Sequence, residues 1–543
     1  VISPRKVHWA LALLLGSGFF LFTSPLYALP EKEIRLAVEL AEKYEAQGNW
    51  KEARDLYELL LSQKDPGLKI RDRYHNAQRR LWQTRRHEDT SYRKEVLSIE
   101  YGQAVRIYNV ISNTLLDASI EKKKIDSTKL FKKGLEELDA ALANPEFRRH
   151  HIPAAKHGDI DAFRAAMKKT WGGMDKLSRK EAAKQIGEIA MAAEVALDLS
   201  ATVVAMEFAC GACYAIDDYT AYLTPNQLRE LTRSLSRTEV IDVGLTLEIR
   251  DNRIVIHEVA MDSQAKGFVE PFDQIISVDK KPVVDLPLQT VKDMLKGAAG
   301  SLVEIEVLTP GKTESRFLRL QRRRLLILGI NNYPAQANSA YWHLDINNGF
   351  TDTTVQEVDS ALKEMAHPQR GVKGLILDLR GNGGGVFDSA IDTARRFLPT
   401  GIITSTQHQN PALNRVYQAK NPKAFAVPMV VLVDGDTASA AEVLAGALKD
   451  NGRATLIGQT TFGKGCTQTV LELPKVGGGV PTGGMRLTVA RFFSPKGEPY
   501  SGRGVIPHIF IDEAMGRSQA DMMRDPFHDR AVKELDRLLG MAK

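Results

Sequence analysis

The sequence predicts an α+β protein of several domains, and three observations carry that expectation. Glu31 to about Ser236 repeats apolar residues at helical spacing with charges between them. Thr238 to Leu320 alternates apolar and polar residues in short runs broken by turn residues, and from Tyr341 onward strands and helices alternate. The chain has 543 residues, too many for one core, so about three or four units are expected. Hydrophobic content of 43% and charged content of 26% fit a folded protein. A formal charge of +6 over this length gives no reason to expect nucleic acid as a partner.

Arg5 and Lys6 precede an apolar run of 14 residues, Trp9 to Phe22. That is short of the roughly 20 residues that span a bilayer and suits the core of a signal peptide. Ala28 is the expected cleavage position, and bulky Leu26 leaves an uncleaved anchor as the alternative. Residues 1–29 are therefore read as a signal peptide or membrane anchor, which predicts export and, if the segment is retained, membrane association.

Residues 30–235 form the predicted helical region. Leu36, Leu40 and Tyr44 share one face, Gly48-Asn49 turns the chain, and Trp50, Ala53, Tyr57 and Leu60 continue on a second helix. The pair resembles one tetratricopeptide-type hairpin, but such arrays need about three repeats, so a plain helical hairpin is the better reading. The basic stretch from Arg71 through Arg86 to Lys94 is interleaved with Tyr74, Leu81 and Trp82, which predicts a helix with one buried face and one solvated basic face. His150, His151 and His157 cluster but are not read as a metal site. Cys210 and Cys213 are read as buried packing residues, since no second pair stands at zinc spacing.

Residues 236–322 form the predicted β-rich module, ending in Gln321-Arg322-Arg323-Arg324, read as an exposed linker. Residues 323–515 follow as a mixed α/β domain, and residues 516–543 as a C-terminal helical segment centred on Pro526 to Leu539. Within the α/β domain, Gly374 to Leu379 is an apolar strand followed by Gly381-Asn382-Gly383-Gly384-Gly385. A plain turn accounts for one glycine; several glycines together let backbone N–H groups approach a ligand. Met429 to Val433 is a buried strand, and Ser439 opens a helix through Ala440, Glu442, Leu444 and Leu448. Thr455 to Ile457 leads into a glycine-punctuated loop whose one charged side chain is Lys464, 25 residues after Ser439 and four before Gln468.

A serine hydroxyl becomes a strong nucleophile only when its proton is taken, and a lysine can take it only when neutral. Lowering a lysine from about 10.4 to the ~7–8 of a general base requires burial among apolar neighbours, for which Phe462, Gly463 and Gly465 are candidates. Taken singly, a serine at a helix start is more often a cap, and a lysine in a glycine loop more often solvated.

Taken together, TASAAE, the 25-residue spacing to a GKG lysine and the glutamine four further on resemble the active-site region of the carboxyl-terminal processing, or tail-specific, proteases. The likeness extends over roughly Ile216 to Leu539. It implies Ser439 as nucleophile, Lys464 as general base and Gln468 as the residue holding the lysine amine, with Glu442 at a recurrent supporting position. The loop resembles the family's DLRxNxGG, which implies an oxyanion hole from Gly384 or Gly385 together with Ala440, and the catalytic domain would be a crotonase-like ββα spiral. Asp217 to Pro225, DDYTAYLTP, resembles the segment preceding the family's PDZ domain. The β-rich module follows PDZ order, so Gly244, Leu245, Thr246 and Leu247 would hold a substrate's terminal carboxylate. Phe272, Lys280 and His508 depart from the family pattern, which has glycines at the first two and aspartate at the third. The resemblance implies protein substrates with a free C-terminus and neither metal nor cofactor.

Two other readings compete. Gly458 to Lys464 fits GxxxxGK of a phosphate loop, but Gly465 offers no hydroxyl and Thr467 to Leu473 alternates like a strand. An inactive scaffold that binds tails through the β-rich module has no use for a lysine at that spacing.

Overall fold

The computed structural model describes residues 31–541 apart from 62–66, 121–124, 236–238, 251–252, 260–262, 271, 285, 287, 327–329, 336–339 and 512–524. The leader expected in residues 1–29 lies outside them. Among the described residues no helix is long and apolar enough to cross a membrane.

The N-terminal region is built from α1 (Glu31–Ala46), α2 (Trp50–Leu61), α3 (Gly67–Glu88), α4 (Tyr101–Ala118), α5 (Ser127–Ala143), α6 (Pro145–His151), α7 (Ile160–Trp171), α8 (Arg179–Leu197) and α9 (Ala201–Cys213). Helices α1 and α2 make the expected hairpin, and α3 packs on α2 to close a core of Ala37, Ala41, Ala53, Leu56, Tyr57, Leu60 and Ala77. The face expected from Leu36, Leu40 and Tyr44 is only half-buried. Ala37 and Ala41 occupy the contact, because small side chains let helices approach closely. Helix α9 is buried on nearly every side, apolar but for Thr202 and Glu207, and packs against α4, α5 and α8, as a central helix must. Its Cys210 and Cys213 are buried free thiols.

The solvated basic face expected for residues 71–94 forms only in part: Arg71, Arg85 and Lys94 are exposed and Leu81 is buried, but Arg80 and Arg86 turn inward. Arg86 is buried and donates to both Glu207 oxygens at 2.9 and 2.8 Å and to Glu137 at 3.2 Å. Arg80 donates to Glu137 at 2.6 Å, while His87 bridges Glu207 at 3.0 Å and His151 at 2.9 Å. The carboxylates come from α5 and α9, so a stretch that reads as solvated charge is an internal clamp; a buried arginine is tolerated only when paired. Burial pushes His151 down to about 3, so it is a neutral partner in this chain.

After β1 (Ala221–Leu223) and α10 (Pro225–Leu235), β2 (Glu239–Asp242) leads into the β-rich module: β3 (Leu245–Arg250), β4 (Arg253–Val259), β5 (Gln274–Val278), β6 (Lys281–Pro282), α11 (Leu288–Leu295), β7 (Leu302–Leu308) and β8 (Arg316–Gln321). The sheet order is β3-β4-β5-β7-β8 with β6 on β5, so β3 is an edge strand among the described residues. The chain leaves through β9 (Arg323–Leu326), antiparallel to β2. The exposed linker expected at 321–324 is thus replaced by strand, a buried arginine, and strand. Arg322 donates to the carbonyls of Met294 and Leu295 at 3.0 and 2.9 Å, capping the end of α11, and to Leu302 O at 2.8 Å. Phe272 and Lys280, where the resembled family carries glycine, adopt φ of +73° and +61°. The glycine-type turns are therefore kept, at a conformational cost.

The C-terminal part comprises β10 (Asn331–Pro334), β11 (Tyr341–Asp345), α12 (Thr354–Met365), β12 (Gly374–Asp378), α13 (Phe387–Phe397), β13 (Thr400–His408), β14 (Arg415–Lys420), β15 (Met429–Val433), α14 (Ala440–Asp450), β16 (Thr455–Gly458), β17 (Cys466–Glu472), β18 (Gly484–Phe493), β19 (Ile509–Phe510) and α15 (Pro526–Leu538). One sheet runs β10-β11-β12-β15-β16-β19, parallel from β11 onward. Alternation along its strands explains the layers: Leu375, Leu377, Val431 and Val433 face α12–α14, whereas Ile376, Val430, Leu432 and Ile457 face α15. The second sheet sets β17, β13 and β1 against β18, with β14 beyond β13. Since β1 pairs with β18, the end of the helical region is stitched into this sheet. His508 accepts the Leu456 N–H at 3.0 Å on Nδ1, extending the β16–β19 pairing. Burial lowers its pKa, which favours the neutral ring that such an acceptor requires.

Candidate active site

Three adjacent parallel strands each release one loop at their carboxyl ends, where α/β sheets present their ligands. Strand β12 ends at Asp378 and gives the glycine loop, β15 ends at Val433 and gives the turn to Ser439, and β16 ends at Gly458 and gives the Lys464 loop. Asp434 ties the first two together, accepting the amides of Gly381 at 3.0 Å and Thr437 at 2.9 Å. Asn382, fully buried, donates to Ile346 O at 2.5 Å while its backbone oxygen accepts the Ala438 N–H at 2.9 Å.

Ser439 stands before α14 with φ +56° and ψ −117°, a region serine occupies only when its surroundings impose it. Gly384 packs directly against it: a Cβ there would lie 2.7 Å from Ser439 Cβ, and φ is +103°, so only glycine fits. The Gly384 amide is already committed to Asn382 Oδ1 at 2.9 Å. Gly385 is wedged against Phe350, whose O would lie 2.1 Å from an added Cβ. Ala440 opens α14, where the first N–H groups have no partner within the helix.

Glu442 is the hub. Its fully buried carboxylate accepts four hydrogen bonds: Ser439 N and Lys464 N on Oε2, both at 2.8 Å, and Gly463 N at 2.7 Å and Thr461 Oγ1 at 2.6 Å on Oε1. Ser439 and Lys464, 25 residues apart in the chain, thus have their amides on one oxygen. Burial raises the Glu442 pKa, while all four donors favour the charged carboxylate.

The Lys464 ammonium lies over the Tyr219 ring, 5.1 Å from its centroid. Burial, and after it the Arg486 guanidinium, holds the amine below the usual lysine range. Phe462, expected to help exclude water, is instead 56% exposed, and Tyr219 supplies the aromatic surface. Gln468 donates to Cys466 Sγ at 3.0 Å. Among the described residues no hydrogen bond joins Lys464 Nζ to Gln468 or to Ser439 Oγ. The structure therefore brings Ser439, Lys464, Glu442, Ala440, Gly384 and Gly385 to one place without closing a serine–lysine hydrogen bond. The segment after Lys464 is β17, not the helix that a phosphate loop requires.

Gly244, Leu245, Thr246 and Leu247 lie in the β-rich module. Gly244 has φ +77°, Leu245 and Leu247 point into the core, and Thr246 is exposed. Sequence reasoning missed Tyr219, Asn382, Asp434, Thr461 and Arg486 as parts of the site. Tyr219 stood in a segment noted only as a boundary, and nothing local marks a contact made across more than 240 positions. Among the described residues no His, Cys, Asp and Glu cluster could hold a metal.

Residues 340–511 match the family described as peptidase family S41. A carboxy-terminal-processing protease of Bartonella bacilliformis is 29% identical over 311 residues, covering 56% of this chain and 69% of the relative. A carboxyl-terminal-processing protease of Picosynechococcus is 30% identical over 325 residues, covering 56% of this chain and 73% of the relative. Of solved structures, the photosystem II D1 C-terminal processing protease is similar at 26% identity with a TM-score of 0.34, covering 72% of this chain and 94% of that one.

Proposed function

This chain belongs to peptidase family S41, among its carboxyl-terminal processing serine proteases, and from that premise we propose that it engages protein substrates by their free C-termini and cleaves them through Ser439 and Lys464. The observation that carries the assignment is the Glu442 carboxylate, which binds the backbone of both residues and so fixes nucleophile and base in one frame.

Neutral Lys464 takes the Ser439 proton as Oγ attacks the scissile carbonyl. The developing oxyanion rests on the Ala440 amide and on the glycine loop. Because Asn382 already occupies the Gly384 amide, Gly385 is the better second donor and Gly384 the residue that lets the loop reach Ser439. Lys464 then protonates the leaving amine, and water repeats the cycle on the acyl-enzyme. Gln468 is assigned to steady the amine once it turns from Cys466.

The module of residues 236–322 acts as a PDZ-like tail binder in this reading. Among the described residues nothing pairs with the outer edge of β3, which leaves it available for strand addition, and Leu245 to Leu247 lie on that strand beside α11 with Gly244 just before it. Residues 30–235 form the helical support and residues 323–515 a crotonase-like catalytic domain, on whose sheet the C-terminal helix α15 packs through Phe527, Ala531 and Leu535. Residues 1–29 direct export, placing the enzyme in a periplasm or anchored with its catalytic domain outside the cytoplasm.

Digestion of an unstructured protein with an apolar tail, fragments read by mass, tests the assignment. The wild type should yield fragments and Ser439→Ala none; equal fragmentation by both would overturn it.

A further inference from the structure

We propose that Tyr219, anchored by Asp217 and Arg486, is the positioning residue of Lys464, its ring face being the place where the amine waits between turnovers. This rests on Lys464 being the general base.

The backbone that carries the ring is held from both sides. Asp217 Oδ1 accepts the amides of Tyr219 at 2.9 Å and Thr220 at 2.7 Å, and Arg486 Nε donates to Tyr219 O at 2.9 Å. The next residues form β1 on β18, where Arg486 pairs with Ala221 on one side and Val470 of β17 on the other. Strand β17 begins two residues after Lys464. The backbones of Tyr219 and Lys464 therefore lead into strands flanking the same central strand, which fixes the two residues relative to one another while the lysine side chain keeps its own freedom.

The chemistry follows from what a ring face attracts. It binds an ammonium and has no comparable hold on a neutral amine. Around Lys464 the other charged or titratable groups are Arg486 on β18, Cys466 on β17, Asp217 beside the ring and Glu442 on α14. Burial and Arg486 favour the neutral amine; Cys466, Asp217 and Glu442 act the other way, and the Tyr219 ring face, in direct contact with the amine, adds its own hold on the charged form. Once the proton leaves, the attraction to the ring vanishes and the amine is free to turn toward Ser439, with which it shares no hydrogen bond at rest. Release of the base is then coupled to its becoming competent.

The test is the pH dependence of kcat/KM for the full chain on an unstructured protein with a free apolar C-terminus. Tyr219→Phe keeps a ring face and should keep the acid limb where the wild type has it. Tyr219→Leu keeps apolar bulk without the face and should move that limb to lower pH by about 0.5–1.5 units. Phenylalanines of increasing fluorination at 219 drain the face at nearly constant shape and should lower the limb stepwise; they decide the matter if the leucine variant does not fold. Limbs coincident with the wild type in both the leucine and the fluorinated enzymes would overturn the proposal. Lys464→Ala separates the two assignments: turnover surviving in it removes the base assignment itself, whereas a dead Lys464→Ala with unmoved Tyr219 variants removes only this inference.

Discussion

Glu442 lies one helical turn beyond Ser439, an ordinary place for a residue that caps a helix start. Its value comes from reaching three further residues, Thr461, Gly463 and Lys464, which the sequence puts 19 to 22 positions away. Four donors on two oxygens require an acceptor at every contact, and a carboxylate supplies that where an amide cannot. In Glu442→Gln, one end of the side chain presents N–H to N–H and leaves at least two buried donors unpaired. Each such loss costs about 1–3 kcal/mol. Denaturant unfolding should show a stability decrease of about 3 kcal/mol, and kcat/KM should fall by about 100-fold or more as the Ser439 and Lys464 backbones separate. A variant with wild-type stability and activity would mean that the carboxylate is incidental. The place of Ser439 at the start of α14 was readable from the residues around it because that pattern is local. The contact of Tyr219 with Lys464 was not, since it depends on β1 pairing with β18 across the whole chain.

At the scale of elements, the strands and helices that deliver the site fall where apolar runs and turn residues put them: β15, α14 and β16 follow from buried runs with turns between. The failures have a common physical form. Arg322 and Arg86 read as solvated because a single sequence shows charge and not its partner, and each proves to be buried against carbonyls or carboxylates from another element. Lys280 is the opposite case, a departure from glycine whose backbone still adopts the glycine geometry. With Asp279 at φ +48° and Lys280 at +61°, the β5–β6 hairpin has the two-residue turn that favours Asp-Gly. Lys280→Gly should therefore stabilise the protein by about 1 kcal/mol, read as a higher denaturant midpoint at unchanged slope. A lower midpoint would show that the lysine compensates for its strain elsewhere.

At the scale of the molecule, the β-rich module hangs on the β2–β9 ribbon while the segment just before it, Asp217 to Leu223, runs through the active site. The module proposed to bind tails and the proposed catalytic residues therefore sit on neighbouring stretches of one chain. If free C-termini are captured at the β3 edge, amidating a substrate's C-terminus should raise KM about tenfold or more with a smaller change in kcat. Equal kinetics for acid and amide would remove tail recognition and leave the peptidase. The proposed mechanism requires Lys464 to activate Ser439, and labelling with a serine-directed fluorophosphonate at neutral pH addresses that most directly. Mass analysis should place one adduct on the peptide containing Ser439 in the wild type, with labelling strongly slowed in Lys464→Ala. An adduct on a different residue, or labelling of Ser439 at an unchanged rate without the lysine, would contradict it.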